Sequence, residues 1–178
     1  MDVVIFGNGG HGQDIASTFA HADLLDDDTE RCTFKPRNGL ARFIIGVNDS
    51  RTRRAIAERL EWVGGTWAHP RAIVGPEVKT GQHTHINAGA FLTRCTLGDF
   101  VTVGPNATIC GDVTIGDDVM IGAGAVIRNL LTIGDGAVIG CGAVVVEDVP
   151  AGVTVVGNPA RPIVRKSDSM ASAVMGSC

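Results

Sequence analysis

The chain has 178 residues, 44% of them apolar, and a formal charge of −4 from 15 basic and 19 acidic side chains. That allows one or two domains with a real core and leaves no basic footprint for nucleic acid. With 4% aromatic residues and no Tyr there is no base-stacking platform either, and the one excess is glycine, at 24 residues.

Val3 to Phe6 reads as a short buried strand, followed by Gly7-Asn8-Gly9-Gly10-His11-Gly12. Gln13 to His21 then reads as a helix with Ile15, Ala16 and Phe19 inward. Strand, glycine-rich turn and helix N-terminus together present bare amides and a helix dipole to an anion. The run lacks the regular glycines of a dinucleotide fingerprint, so a tight packing turn is the other reading. Leu24 and Leu25 lead into Asp26-Asp27-Asp28, carboxylates that can accept hydrogen bonds from a ribose or base, or simply form a solvated turn. Residues 29 to 40, broken by Pro36 and Gly39, read as a surface loop. Phe43 to Gly46 is a third strand, and Asp49 or Ser50 caps a helix whose apolar positions are Ala55, Ile56 and Leu60. The expected unit is a small parallel βαβαβ, Rossmann-like, over residues 1–65, ending at Gly64-Gly65.

Beyond it the period changes. Leu97, Val103, Ile109, Ile115, Ile121, Ile127, Ile133, Ile139 and Val145 fall six apart, with Cys95, Val101, Ala107, Val113, Val119, Ala125, Leu131, Ala137 and Ala143 two residues before each. Six is neither the helical 3.6 nor the 2 of a lone strand; it is the hexapeptide repeat of a parallel β-helix. The aliphatic residue is expected inward and the small one at the corner. Gly follows at 98, 104, 116, 122, 134 and 140, where turn dihedrals are expected. Earlier hexads are ragged: Val74, Thr80, Ile86 and Leu92 keep the step, and from Leu92 to Leu97 it is five. The β-helix is expected over residues 66–165, with a disordered polar tail at 166–178.

Cys32, Cys95, Cys110, Cys141 and Cys178 form no CxxC pair, which argues against a disulfide framework or a zinc site. No signal peptide precedes the first strand and no apolar run nears about 18 residues, so the expected compartment is the cytoplasm.

Gly9-Gly10-His11-Gly12, Leu25-Asp26-Asp27, Gly46 with Asn48 before a basic helix, His69-Pro70, and Val156-Gly157-Asn158-Pro159-Ala160 occur in this order ahead of, within and after the hexads. Together they resemble the sialic-acid and bacillosamine type of sugar acetyltransferases, trimeric enzymes with a left-handed β-helix. The resemblance implies a homotrimer that moves acetyl from acetyl-CoA to an amino or hydroxyl group of a nucleotide-activated sugar. It implies substrate contacts at Gly10, His11, Gly12, Asp26, Asp27, Asn48 and Asn87. It implies a groove for acetyl-CoA between neighbouring β-helices, at Thr102, Gly111, Ala123 and Cys141, with Gly157, Asn158, Pro159, Ala160 and Arg161 near its adenine end. Arg161 and Arg165 could meet phosphates there.

One departure bears on chemistry. The family's base is a His that deprotonates the attacking amine or hydroxyl. In the matching stretch, Leu92 to Leu97, its place falls on Arg94 or Thr93, neither of which can act as a base; alternatively the whole coil that carries it is missing. A second family His, which helps at the thioester, matches Thr102. His83 and His85 alternate with Gln82 and Thr84, so both point outward if Ile86 points inward. They read as a surface pair, a substitute base or a fortuitous metal pair, and no metal site is expected. The rival to acetyl transfer is a nucleotide-sugar- and CoA-binding protein that keeps the fold without the base. A carbonic-anhydrase-like metalloenzyme would need three histidines around a subunit interface.

Overall fold

The computed structural model describes residues 2–6, 10–17, 22–25, 41–59 and 64–163. Asp26 and Asp27, the glycines before Gly10, Phe19, His21, Leu60, the loop at 29–40 and the tail at 166–178 lie outside the described residues.

Three parallel strands open the chain: β1 (Asp2–Phe6), β2 (Ala22–Leu25) and β3 (Ala41–Ile45), in the order β2-β1-β3. Helix α1 (Gly10–Ala16) follows β1 and helix α2 (Ser50–Arg59) follows β3. Among the described residues the order is β, α, β, β, α, and residues 26–40, between β2 and β3, lie outside them. Helix α1 also starts inside the glycine run, three residues before the expected Gln13.

Asp49 caps α2, its Oδ2 accepting from the Thr52 amide at 2.8 Å and the Thr52 hydroxyl at 2.7 Å, which lowers its pKa. The face of α2 differs from expectation. Ile56 is buried, but Ala55 is exposed, and Arg53 and Ala57 complete the inward stripe. Arg53 lies one turn before both Ile56 and Ala57, so burying them carries it inward too.

From Trp67 the chain winds into a parallel β-helix of two-residue rungs. One face stacks Trp67–Ala68, His85–Ile86, Thr102–Val103, Met120–Ile121, Val138–Ile139 and Thr154–Val156, with Arg161–Pro162 antiparallel at its end. The second stacks Ile73–Val74, Phe91–Leu92, Thr108–Ile109, Val126–Ile127 and Val144–Val145. The third stacks Lys79–Thr80, Thr96–Leu97, Thr114–Ile115 and Thr132–Ile133. Every expected inward aliphatic from Ile86 to Val145 is buried, each worth about 1.5–3 kcal/mol relative to exposure. Val74 and Thr80 stay exposed, at the open end of the stack.

Two details of the repeat differ from expectation. The small residues from Cys95 to Ala143 do not mark an exposed corner; they are buried in the core, where their size lets the coil close. Burial pushes the Cys95 thiol up to about 11. The glycines at 98, 104, 116, 122, 134 and 140 do not carry the left-handed dihedrals. Those fall at the true corners, on Asn106 (φ 56°), Asp112 (60°) and Asp118 (57°), or on Gly124, Gly136 and Gly142. Gly104 and Gly122 are required by contact instead: a Cβ on Gly104 would stand 2.7 Å from the Ala123 amide nitrogen, and one on Gly122 2.5 Å from that of Cys141.

Two small cores join the α/β elements to the β-helix. Ile5, Ile15 and Trp67 form one, with Ala16 and Ile44 against it. Ile45, Ile56, Ala57 and Phe100 form the other. Each thus draws one aromatic side chain from the coil. Among the described residues no helix is long and apolar enough to cross a membrane.

Candidate active site

On the first face Trp67, His85 and Thr102 stand opposite one another on adjacent rungs. Ile86 and Val103 point inward, so His85 and Thr102 point outward, as the alternation requires. Outward is not exposed here. His85 is 1% and His83 4% accessible, because α1 and the segment at Gly64 return over this face. The expected surface pair is therefore a buried one.

His11 comes from the first turn of α1. Its Nε2 lies 3.0 Å from Nδ1 of His85, a hydrogen bond between residues 74 apart in sequence. Trp67 stands edge-on to both rings, at 6.1 Å from His11 and 5.9 Å from His85. His83 sits at a corner with φ 51°, its Nε2 accepting from the Gly64 amide at 3.1 Å and its ring stacked 5.0 Å from Phe100.

Beneath these rings lies Arg53, fully buried. Its Nη1 donates to the carbonyls of Val47 (2.9 Å) and Asn48 (3.1 Å), and its Nη2 to the Phe100 carbonyl and to Thr102 Oγ1 (3.1 Å). Burial lowers its pKa to about 10, against the pull of Asp118 and Asp49, so it stays charged at neutral pH. Arg54 docks beside it, with Nε and Nη2 on Asp118 Oδ2 at 3.1 and 2.6 Å and the guanidinium 4.3 Å over the Phe100 ring.

His85 is held well below its ordinary pKa of 6.5, first by burial, then by the charge of Arg53 and by the neighbouring imidazoles of His11 and His83. It is therefore neutral at pH 7. The unfolded chain binds this proton more readily than the folded one. Stability from this group is thus complete above about pH 6.5 and declines as pH falls below it, by about 1.4 kcal/mol per unit until the folded pKa is reached. Urea melts between pH 7.5 and 5 should show that slope in the native protein and a flatter one in His85→Asn. Equal slopes would remove His85 as the cause.

The other expected positions fall in three places. Ala123 and Cys141 are exposed on successive coils of one edge, linked by the Gly142 amide on the Ala123 carbonyl at 2.9 Å. The hairpin turn holding Gly157, Asn158, Pro159, Ala160 and Arg161 lies beyond them, its strand pairing with the rung before Cys141. Upstream on the same edge a cleft of ≈ 370 Å³ is lined by Arg71, Ala88, Gly89, Pro105 and Asn106. Gly111 is on a different edge, buried beneath the Arg94 guanidinium, which pairs with Asp112 at 3.1 Å. One chain does not bring Gly111 together with Ala123 and Cys141. Asn87, half-buried, donates from Nδ2 to the Val103 carbonyl at 2.8 Å. Asn48 is exposed, next to the buried Arg53. Of Gly10 and Gly12 the structure gives only the start of α1, so neither is placed against a ligand.

Sequence reasoning missed Arg53, Trp67 and Phe100 as parts of this joint. The signal for Arg53 was its place one turn before Ile56; nothing local marked the other two. Among the described residues no group of three or more His, Cys, Asp or Glu is placed to hold a metal.

Residues 94–129 match the family described as bacterial transferase hexapeptide (six repeats). The acetyltransferase domain of PglB from Neisseria gonorrhoeae FA1090 is 30% identical, over 91% of this chain and 99% of that one, with a TM-score of 0.72. The same domain in complex with acetyl coenzyme A matches at 29% identity, 91% and 98% coverage and TM-score 0.73. WeeI from Acinetobacter baumannii AYE is 27% identical over 92% of this chain and 100% of its own, at TM-score 0.71. PerB from Caulobacter crescentus, in complex with CoA and GDP-perosamine, shares the fold at 24% identity, 92% and 98% coverage and TM-score 0.75. Among curated proteins none matches this sequence.

Proposed function

Because this chain belongs to the sialic-acid and bacillosamine type of hexapeptide-repeat sugar acetyltransferases, we propose that it moves acetyl from acetyl-CoA to an amino or hydroxyl group of a nucleotide-activated sugar. The observation that carries this is the 30% identity to the PglB acetyltransferase domain over 91% of the chain, a domain also solved with acetyl coenzyme A. The match takes in the α/β elements as well as the coil.

In this reading residues 1–65 are a Rossmann-like unit that holds the nucleotide-sugar through Gly10, His11, Gly12, Asp26, Asp27 and Asn48, with Asn87 facing it from the coil. Residues 66–165 wind as a left-handed β-helix. Acetyl-CoA is the co-substrate and lies along Ala123, Cys141 and the turn from Gly157 to Arg161, with Gly111 nearer the thioester; Thr102, buried and bonded to Arg53, belongs to the joint with α2 and not to this groove. Gly111 stands on a different edge from Ala123, which suits a groove made by two neighbouring copies in a cytoplasmic homotrimer.

The second face supports such a trimer. Its outward column begins Ile73 and Phe91, 62% and 43% exposed in the single chain, and continues with Thr108, Val126 and Val144. The matching column of the third face is Lys79, Thr96, Thr114 and Thr132. An apolar column beside a polar one is what a packed face beside a wet one requires. Phe91→Glu is expected to shift sedimentation from trimer to monomer at micromolar concentration and to abolish CoA binding with it. A native protein that sediments as a monomer would remove the trimer and the groove together.

The functional test is thiol release from acetyl-CoA with a panel of nucleotide amino sugars. Turnover with one of them is expected. The expected loss of the family's His, whether its place falls on Arg94 or Thr93 or its whole coil is missing, favours a second reading: a protein that binds both ligands without turnover; Arg94 is ion-paired with Asp112. CoA binding by calorimetry, with no thiol release for any acceptor, would decide for that reading.

A further inference from the structure

Resting on the acetyl-transfer reading, we propose that Arg71, with Asn106 beside it, binds an anionic group of the acceptor and so selects which nucleotide-sugar is acetylated. The site is the cleft of ≈ 370 Å³ upstream of Ala123 and Cys141, to which that reading assigns no part of acetyl-CoA.

The rung registers set the corners of this edge one above another. Pro70-Arg71, Ala88-Gly89, Pro105-Asn106, Ala123-Gly124 and Cys141-Gly142 each begin two residues after a rung of the first face. Backbone bonds tie them together: the Gly89 amide donates to the Arg71 carbonyl at 3.1 Å, that of Asn106 to Ala88 at 3.0 Å and that of Gly124 to Pro105 at 2.8 Å. Arg71 is the one charged residue in these corners and Asn106 the one carboxamide; the rest are Pro, Ala, Gly and Cys. Gly89 lies between the two. The Asn106 carboxamide leans back over it, since a Cβ on Gly89 would collide with Asn106 Oδ1. Asn106 is thereby turned toward the corner of Arg71. Among the described residues neither the Arg71 guanidinium nor the Asn106 carboxamide has a hydrogen-bond or ion-pair partner.

A guanidinium only donates, through a planar fork that matches a carboxylate or a phosphate. The carboxamide adds a donor beside it. The other residues lining the cleft are Ala88, Gly89 and Pro105, so no carboxylate there repels an anion.

The acyl donor does not supply that anion. Its phosphates belong with the adenine end, at the turn from Gly157 to Arg161, and its acetyl group carries no charge. With rungs about 4.8 Å apart, Arg71 stands about 19 Å down the edge from Cys141, away from that turn. Gly111, nearer the thioester in this reading, follows Asn106 on the same coil, separated from it by the rung Thr108–Ile109. The acetyl group therefore ends at the level of the cleft, and what meets it there is the acceptor. An amine or hydroxyl at that level, with an anionic group one or two rungs lower and so about 5–10 Å away, fits the edge. A carboxylate on the sugar and a phosphate of its nucleotide share this chemistry.

Calorimetry on the full chain tests the site, with wild type, Arg71→Gln, Arg71→Lys and Asn106→Gly. The probes are UDP- and GDP-linked sugars in pairs, an amino sugar and a sugar acid on the same nucleotide. Thiol release from acetyl-CoA is then measured with the tightest binder. Gln keeps most of the length and drops the charge, so Arg71→Gln should bind that acceptor about 10- to 100-fold more weakly and raise its KM alike, with acetyl-CoA affinity unchanged. Arg71→Lys should recover part of the loss. Asn106→Gly should cost about threefold in affinity, and the corner keeps its shape because Gly124 and Gly142 hold the same place at φ 66°. Raising salt from about 0.05 to about 0.5 M should weaken binding more in wild type than in Arg71→Gln. A loss confined to the sugar acids assigns the carboxylate; an equal loss for both sugars on one nucleotide assigns the phosphate. A folded Arg71→Gln with wild-type affinity for the acceptor overturns the site and leaves acetyl transfer standing. Wild type that binds acceptor and acetyl-CoA without thiol release overturns acetyl transfer alone, and the calorimetry still decides Arg71. Wild type that binds none of these sugars overturns both.

Discussion

Arg53→Leu is expected to loosen the α/β elements from the β-helix by about 3 kcal/mol while the coil stays folded. The estimate follows from what the guanidinium leaves behind. The Phe100 carbonyl and Thr102 Oγ1 are buried acceptors, and a buried acceptor without its donor costs about 1–3 kcal/mol. The carbonyls of Val47 and Asn48 recover part of their loss from water. Burying a charge is itself costly, so a design that replaced every partner by apolar groups could gain stability. A single substitution cannot, because the acceptors remain. Arg54→Ala is the contrast: its pair with Asp118 is 35% and 27% exposed, and such pairs contribute about 0–1 kcal/mol. Hydrogen exchange is the measurement. In Arg53→Leu the amides of β3 and α2 should exchange ahead of those in the coil; in Arg54→Ala they should not. Uniform protection in Arg53→Leu would show that the hydrophobic contacts of Phe100 and Trp67 hold the joint without it.

Gly122→Ala should destabilise the coil at or above the upper end of the roughly 1–3 kcal/mol usual for overpacking. The added carbon meets the backbone of Gly140 and Cys141, not a side chain that can swing away. Gly124→Asn, two residues on, is expected to change stability by less than about 0.5 kcal/mol. Gly124 has φ 66° with open space around its Cβ position, and Asn106 holds the same corner one coil earlier at φ 56°. Denaturant melts of the two variants test this directly. The reverse order would return the repeat glycines to the dihedral role that period alone suggests.

That reversal illustrates which parts of the molecule were legible before the structure. The inward aliphatics at a step of six sufficed for the parallel coil, because period is a local property and Ile109 must face whichever way Ile127 does. What a glycine is for is not local. Gly122 is small because Cys141 passes close by, one coil later, and Gly124 is small because of its own dihedral; in the sequence the two look alike. The site shows the same limit. Alternation turned His85 outward, correctly, yet it could not show that α1 would cover it, since His11 lies 74 residues away. In the sequence Arg53 stands among the charges of a basic helix, off its expected apolar face of Ala55, Ile56 and Leu60. Its spacing to Ile56 and Ala57 carried the better information.

The short corner after Leu92 has a wider consequence. Thr102 lies 18 residues before its neighbour Met120 but only 17 after His85, and every later rung is nevertheless in phase. In a hairpin a one-residue deletion would turn each following side chain to the wrong side. Here each rung takes its alignment from the coil beneath it, so a copying error in a corner is corrected within one turn and never inherited by the next. Lineages carrying this architecture are therefore free to drift in corner length, and new chemistry can be tried at the edges while the interior keeps its count.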